Sequence, residues 1–281
     1  MLVSLHEILN DAKKGRYAVG FFNAVNVEQA RAVINTAEEM RSPVIVGTAE
    51  ILLPVTSLDV VAEYLIPMAR KAGVPVCVHF DHGLSFERCI QAVRLGFTSV
   101  MYDCSTDTFE GNIKKVAEMV RICHSAGITV EGELGHVGDN EGSGILKNPS
   151  DYFTDPAAAK DYVKRTGVDA LAVAVGNAHG EYKQPPKLDF ERITTISEHT
   201  GIPLVLHGGS GLSDYDFQSA IRRGICKINI FTDIDRAGRE GFEKGLAAGA
   251  QSLSALIPYT IEAMSTVVRN KIELFGSVDK A

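Results

Sequence analysis

The chain has 281 residues, 45% of them hydrophobic and 22% charged, with a formal net charge of −7, a balance ordinary for a globular protein. That charge, without any basic block, argues against nucleic acid or an anionic membrane surface as the main partner, while leaving room for a local phosphate site. No stretch reaches the roughly 18 apolar residues that span a bilayer, and the N-terminus is charged from Glu7 onward with no cleavable apolar core, so a cytoplasmic protein is expected.

Short β-rich runs alternate with helical patterns along the whole chain. Strands are predicted at 17–22 (YAVGFF), 43–48 (PVIVGT), 74–80 (VPVCVHF) and 98–103 (TSVMYD), then at 128–134 (ITVEGEL), 170–175 (ALAVAV), 202–207 (IPLVLH) and 226–230 (CKINI). Each is continuous or nearly so in apolar residues, as strands covered on both faces should be. Between them, 26–40 places Ala30, Val33, Ile34 and Ala37 on one helical face, and 85–96 opens on a serine and closes on a glycine. Segments 108–127 and 213–224 follow the same plan. Strand and helix in alternation imply a parallel sheet, and eight units in this length fit a closed (β/α)₈ TIM barrel. An open doubly wound sheet is the structural alternative, but no G-x-G-x-x-G follows the first strand. No linker or repeat marks a boundary, so residues 1–281 are expected to form one barrel domain. The C-terminal part reads as extra helices interrupted around Pro258. The five cysteines (Cys77, Cys89, Cys104, Cys123 and Cys226) are scattered without a C-x-x-C pair, and buried reduced thiols are expected.

In a barrel of this kind the active site lies at the C-terminal ends of the strands, and polar residues gather there. Strand one ends at Asn23, strand three at Asp81 and His82, and strand four at Asp103. Strand five carries Glu131, Glu133 and then His136. Strand six runs into GNAHG with His179 and Gly180, strand seven ends in HGGSG with His207, and strand eight in NIFTD with Asn229. A barrel would bring His82, His179 and His207 to one mouth, and three imidazoles with an open fourth position suit a catalytic zinc. His79 is expected in the core or behind the site, and His6, His124 and His199 in solvent. Gly208, Gly209 and Ser210, followed by Asn229 to Thr232, fall where barrels commonly bind phosphate.

Taken together, HFDHG, EGELGHVGDNEG, GNAHG, LHGGSG and KINIFTD resemble the class II, zinc-dependent ketose-bisphosphate aldolases, which include fructose- and tagatose-bisphosphate aldolases. The resemblance runs in order from about residue 5 to 235, and VVRNKIELFGS near the end is also similar. It implies His82, His179 and His207 as Zn²⁺ ligands, with Asp103 and Glu133 holding the metal when it moves, or a second one. It implies Asp81 as the acid that protonates the aldehyde oxygen in condensation and takes that proton back in cleavage. Asn23, Gly180, Gly208, Gly209, Ser210, Asn229, Ile230, Phe231 and Thr232 would bind the substrate, a ketose 1-phosphate or ketose bisphosphate cleaved reversibly to dihydroxyacetone phosphate and an aldehyde. Carbonyls near Val175, Gly180 and Gly208 would hold a monovalent cation, Na⁺ or K⁺. A homodimer or homotetramer, assembled through the outer helices, is the implied state.

The chemistry agrees with these roles. Retro-aldol cleavage leaves a carbanion beside a carbonyl, which a Lewis acid stabilises, and the departing hydroxyl proton needs a carboxylate within about 3 Å. The carbon must also be protonated, and Glu141 is the candidate for that step. Lys227, on strand eight, needs no Schiff-base role. One departure from the family pattern concerns the second phosphate. Bisphosphate-specific members often carry Asp-Pro-Arg before the last helix, whereas residues 247–260 here read AAGAQSLSALIPYT, without arginine. The aldehyde product is therefore expected to be unphosphorylated or unusual. Three rival readings are a metal-dependent hydrolase, a sugar-phosphate-binding protein without turnover, and a Schiff-base aldolase. The first usually places two histidines on strand one, where YAVGFFN has none.

Overall fold

The computed structural model describes residues 1–139, 152–180 and 186–281. Eight parallel strands close into a barrel in chain order: β1 (Val19–Asn23), β2 (Val44–Ala49), β3 (Val76–Gly83), β4 (Ser99–Tyr102), β5 (Thr129–Leu134), β6 (Ala170–Val173), β7 (Leu204–Leu206) and β8 (Ile225–Ile230), with β8 pairing back onto β1. All eight predicted strands are present, with ends shifted by up to three residues.

Side-chain alternation divides the core into two layers. Val44, Val46, Val76, Val78, Val100, Val130, Leu171, Leu204 and Ile228 face outward and pack under the helices. Val19, Phe21, Ile45, Cys77, Ala170, Ala172 and Val205 face inward. The outer helices are α2 (Val27–Glu39), α3 (Leu58–Lys71), α4 (Phe86–Leu95), α5 (Phe109–Ser125), α6 (Pro156–Thr166), α7 (Phe190–Thr200), α8 (Asp214–Ile221) and α9 (Thr232–Ala247). Several begin on side-chain caps that satisfy orphan amides: Asn26, Thr108, Asp155, Asp189 and Ser213 each accept from the first turn of the helix they precede.

Helix α1 (Leu5–Gly15) has no counterpart among the segments read from spacing. It closes the bottom of the barrel, inserting Leu5, Ile8, Leu9 and Ala12 into the inner layer. Ser4 and Glu7 cap it reciprocally, and each large side chain buried there contributes about 1.5–3 kcal/mol. With the bottom sealed, the other end is the face left for chemistry.

The expected break at Pro258 is corrected by the structure. Helix α10 runs unbroken from Leu253 to Phe275 through Pro258, capped by Ser252. Proline there removes one hydrogen bond near the helix start, a tolerable loss so close to the unsatisfied first turn. The interruption falls earlier, where Gly249 adopts φ +86° between α9 and α10. Helix α10 packs against α2 and α9. All five cysteines are buried and unbridged.

Candidate active site

Strand β3 positions the central group. Cys77, His79 and Asp81 point into the barrel while Val76, Val78 and Phe80 point out. Regular alternation would send His82 out with Phe80. Instead His82 has φ +42°, and the β3–β4 register passes from Phe80↔Val100 to Gly83↔Tyr102, three residues against two. Such a bulge re-aims a side chain, at a strain of about 1–3 kcal/mol for a non-glycine residue. The result is that Asp81 and His82, adjacent in sequence, both face the mouth.

His207 follows β7, and His179 lies in a two-residue strand, Ala178–His179, that pairs with Gly138–Asp139 above the barrel rim. The rings of His82, His179 and His207 lie 4.5–5.7 Å apart, centroid to centroid, and each offers a nitrogen within 4.8 Å of the other two. Asp103 and Glu133 form a second group with His82 by the same measure. The structure thus brings together all five residues expected as metal ligands.

The residues fit a cation in more than proximity. His82 Nδ1 pairs with Asp103 Oδ2 at 2.8 Å, and His207 Nε2 with Glu131 Oε1 at 2.9 Å. Carboxylates on these outer nitrogens hold the protons there and turn the other ring nitrogens inward, as metal-ligating histidines require. The inward pair, His82 Nε2 and His207 Nδ1, stand 2.7 Å apart. Glu133 Oε2 is buried with no hydrogen-bond partner among the described residues. Electrostatics point the same way. Burial would lower the pKa of His82, but Asp81, Asp103 and Glu133 outweigh it and push that imidazole up to about 10. Burial and the charge of Asp103 push the Glu133 carboxyl up to about 8. The cluster favours positive charge, which a bound metal ion would supply.

Asp81 is buried behind His82. Burial alone would raise its carboxyl, yet His82, His79, Lys227 and His207 together hold it well below the usual carboxylate range. Asn229 Nδ2 donates to its two oxygens at 3.2 and 3.3 Å. Asp81 is therefore held as a fixed anion rather than buried neutral.

The phosphate-site candidates also converge. Gly208 has φ +62°, and a Cβ there would overlap the Ala178 carbonyl oxygen, so only glycine allows the β7 loop to approach His179. Gly209 N–H donates to Asn229 O at 3.0 Å. Ser210 Oγ accepts from Asp233 N at 3.2 Å, which leaves its own proton free to donate. Phe231 and Thr232 begin α9, and Gly180 adopts φ +79°. Ile230 differs from expectation in part: its side chain belongs to the outer core, so only its backbone is available. Asn23 lies at the end of β1 with Oδ1 buried and without a hydrogen-bond partner among the described residues. Glu141 lies outside the described residues.

His6 and His124 are exposed as expected, and both border one carboxylate below the barrel: His124 Nε2 pairs with Asp169 at 2.9 Å and His6 lies 3.7 Å from it. His79 is fully buried as expected, with Nδ1 paired to Ser99 Oγ at 2.8 Å. Two residues named in the sequence were given no role there, Glu131 and Lys227. Both are fully buried and pair at 2.8 Å. The available signal was alternation: Glu131 and Glu133 are two apart on one strand and must share the inner face.

Comparison with known proteins accords with this geometry. The family model described as fructose-bisphosphate aldolase class-II matches residues 3–280. A fructose-bisphosphate aldolase from Geobacillus stearothermophilus is 40% identical over 291 residues, covering 100% of this chain and 99% of its own. The YdjI protein of Escherichia coli K12 is 41% identical over 281 residues and covered completely, as is this chain. The crystal structure of the YdjI aldolase superposes with a TM-score of 0.91 at 39% identity over 100% of both chains.

Proposed function

Because the chain belongs to the class II fructose-bisphosphate aldolase family, and so is a lyase acting on carbon–carbon bonds, we propose that it reversibly cleaves a ketose 1-phosphate to dihydroxyacetone phosphate and an aldehyde, with zinc as its metal. The observation that carries this reading is the convergence of three imidazoles beside a buried, ionised Asp81. His82, His179 and His207 would hold the ion, with Asp103 and Glu133 as alternative ligands. When bound, the ion would act as a Lewis acid on the ketose carbonyl and stabilise the carbanion left by cleavage.

The protein's own groups supply the proton movements. Asp81 removes the proton of the C4 hydroxyl as the C3–C4 bond breaks, and returns it in condensation. Asn229 holds that carboxylate in place through Nδ2. Glu141 is proposed to protonate C3. Gly208, Gly209, Ser210 and the amides from Asn229 to Thr232, with Gly180, would receive the phosphate, while Asn23 would meet the substrate across the mouth. A monovalent cation on the Val175, Gly180 and Gly208 carbonyls belongs to the same proposal. So does a cytoplasmic homodimer or homotetramer built from one barrel domain per chain. Among the described residues no helix is long and apolar enough to cross a membrane.

Overall identity does not select the substrate, since the chain is equally close to a fructose-bisphosphate aldolase and to YdjI. The absence of arginine from 247–260 favours an aldehyde without a second phosphate, which would otherwise lack its bidentate partner. Rates of dihydroxyacetone phosphate release from ketose 1-phosphates, fructose 1,6-bisphosphate and tagatose 1,6-bisphosphate test this. A strong preference for either bisphosphate refutes it.

A further inference from the structure

Directly beneath the three imidazoles lies a lysine with no part in the reaction proposed above. Lys227 is an inward residue of β8, wholly buried, with the ring of Phe21 4.7 Å from Nζ. Its ammonium donates to Glu131 Oε2 at 2.8 Å and Oε1 at 3.1 Å and stands 3.9 Å from Asp81 Oδ1. Glu131, equally buried, uses Oε1 to accept from His207 Nε2 at 2.9 Å. His79 completes the group, 3.6 Å from Asp81 and 3.7 Å from Glu131.

Fold stability does not call for this arrangement. Desolvating a buried ion pair generally costs as much as the pairing returns, and an apolar pair of similar volume would serve the core as well or better. What an apolar pair lacks is an anionic acceptor for His207 Nε2–H. An imidazole protonated at Nε2 presents a lone pair at Nδ1, and Nδ1 is the atom that meets His82 Nε2 at 2.7 Å. Lys227 Nζ donates to both Glu131 oxygens and fixes the carboxylate from below while Oε1 faces His207.

We infer that Lys227 is a positioning residue for the metal centre: its ammonium anchors the Glu131 carboxylate against His207 Nε2 and thereby turns His207 Nδ1 toward the ion. This rests on the reading of His207 as a metal ligand. Lys227 acts through two intervening side chains and touches neither ion nor substrate.

The test uses the full-length protein, its Lys227→Met and Glu131→Gln variants, and the double variant. The double variant removes both halves of the Lys227–Glu131 ion pair together, so it retains a folded protein for comparison if a single variant does not. Zinc affinity is measured by competition with a chromophoric chelator, and the His207 tautomer by NMR of ¹⁵N-histidine-labelled, metal-free protein. Removing a partner of a ligating histidine typically weakens metal binding about 10–100-fold. The double variant should lose at least about tenfold in zinc affinity and its His207 should shift from a single Nε2–H tautomer to a mixture. Wild-type affinity or a wild-type His207 signal in the folded double variant overturns the inference. A parent protein that binds no zinc, or whose His207 nitrogens do not respond to it, refutes instead the metal reading on which the inference stands.

Discussion

Replacement of Asp81 by alanine separates chemistry from architecture. The carboxylate lies beside His82 but is absent from the proposed ligand set, so its loss should leave the ion in place. Positioned proton transfer contributes about 10²–10⁴-fold to rate, and kcat in Asp81→Ala should fall about 10³-fold, or about 4 kcal/mol at 1.36 kcal/mol per decade. The fold should survive. Lys227 retains Glu131 at 2.8 Å, and the principal loss is the partner of Asn229 Nδ2, about 1–3 kcal/mol for an unsatisfied buried donor. A domain stability of roughly 5–15 kcal/mol absorbs that. The assay is enzymatic detection of dihydroxyacetone phosphate from the best ketose phosphate, alongside zinc content by mass spectrometry. A variant that keeps its zinc and stays within about threefold of the parent kcat, under 1 kcal/mol, would show that another group moves the proton.

Gly47 of β2 pairs with His79, and an added Cβ would overlap the His79 carbonyl oxygen. Gly47→Ala should therefore destabilise by about 3 kcal/mol or more, the upper range for overpacking a rigid core, and an unchanged denaturant midpoint would contradict the geometry. Acid stability should depend on Glu131. Burial would raise its carboxyl, but Lys227, His207 and His79 outweigh that and draw it from 4.5 to about 2. A group depressed on folding stabilises above its unfolded pKa, and that contribution is lost as pH falls through the folded one. The metal-free protein should thus lose stability from about pH 4.5 down to about pH 2. The Lys227→Met, Glu131→Gln double variant should show a shallower slope across that window; identical slopes refute the assignment.

The barrel was legible because buried parallel strands are written as short apolar runs, and all eight could be placed within a few residues. The site was legible because those runs end in polar residues wherever the chain leaves the core, as at Asp81, Asp103 and Asn229. What alternation could not provide was the direction of His82: it depends on a bulge and a left-handed backbone angle that no local pattern around HFDHG announces. Lys227 was visible as a charge inside CKINI, but its partner comes from β5, 96 residues away, and only barrel closure joins them. Helix α1 escaped notice because its apolar residues contact the barrel floor, a surface absent until the strands assemble. Pro258 was misread because its cost depends on how near the helix start it lies, and the cap at Ser252 sets that start.

In the proposed mechanism three histidines from separate strand ends hold one divalent ion. Anomalous diffraction at the zinc edge, from crystals grown with zinc, tests it directly. The expected result is a single strong peak with one ring nitrogen each from His82, His179 and His207 at about 2.0–2.1 Å. A zinc peak bound elsewhere, or these three rings turned away from a common point, would contradict it.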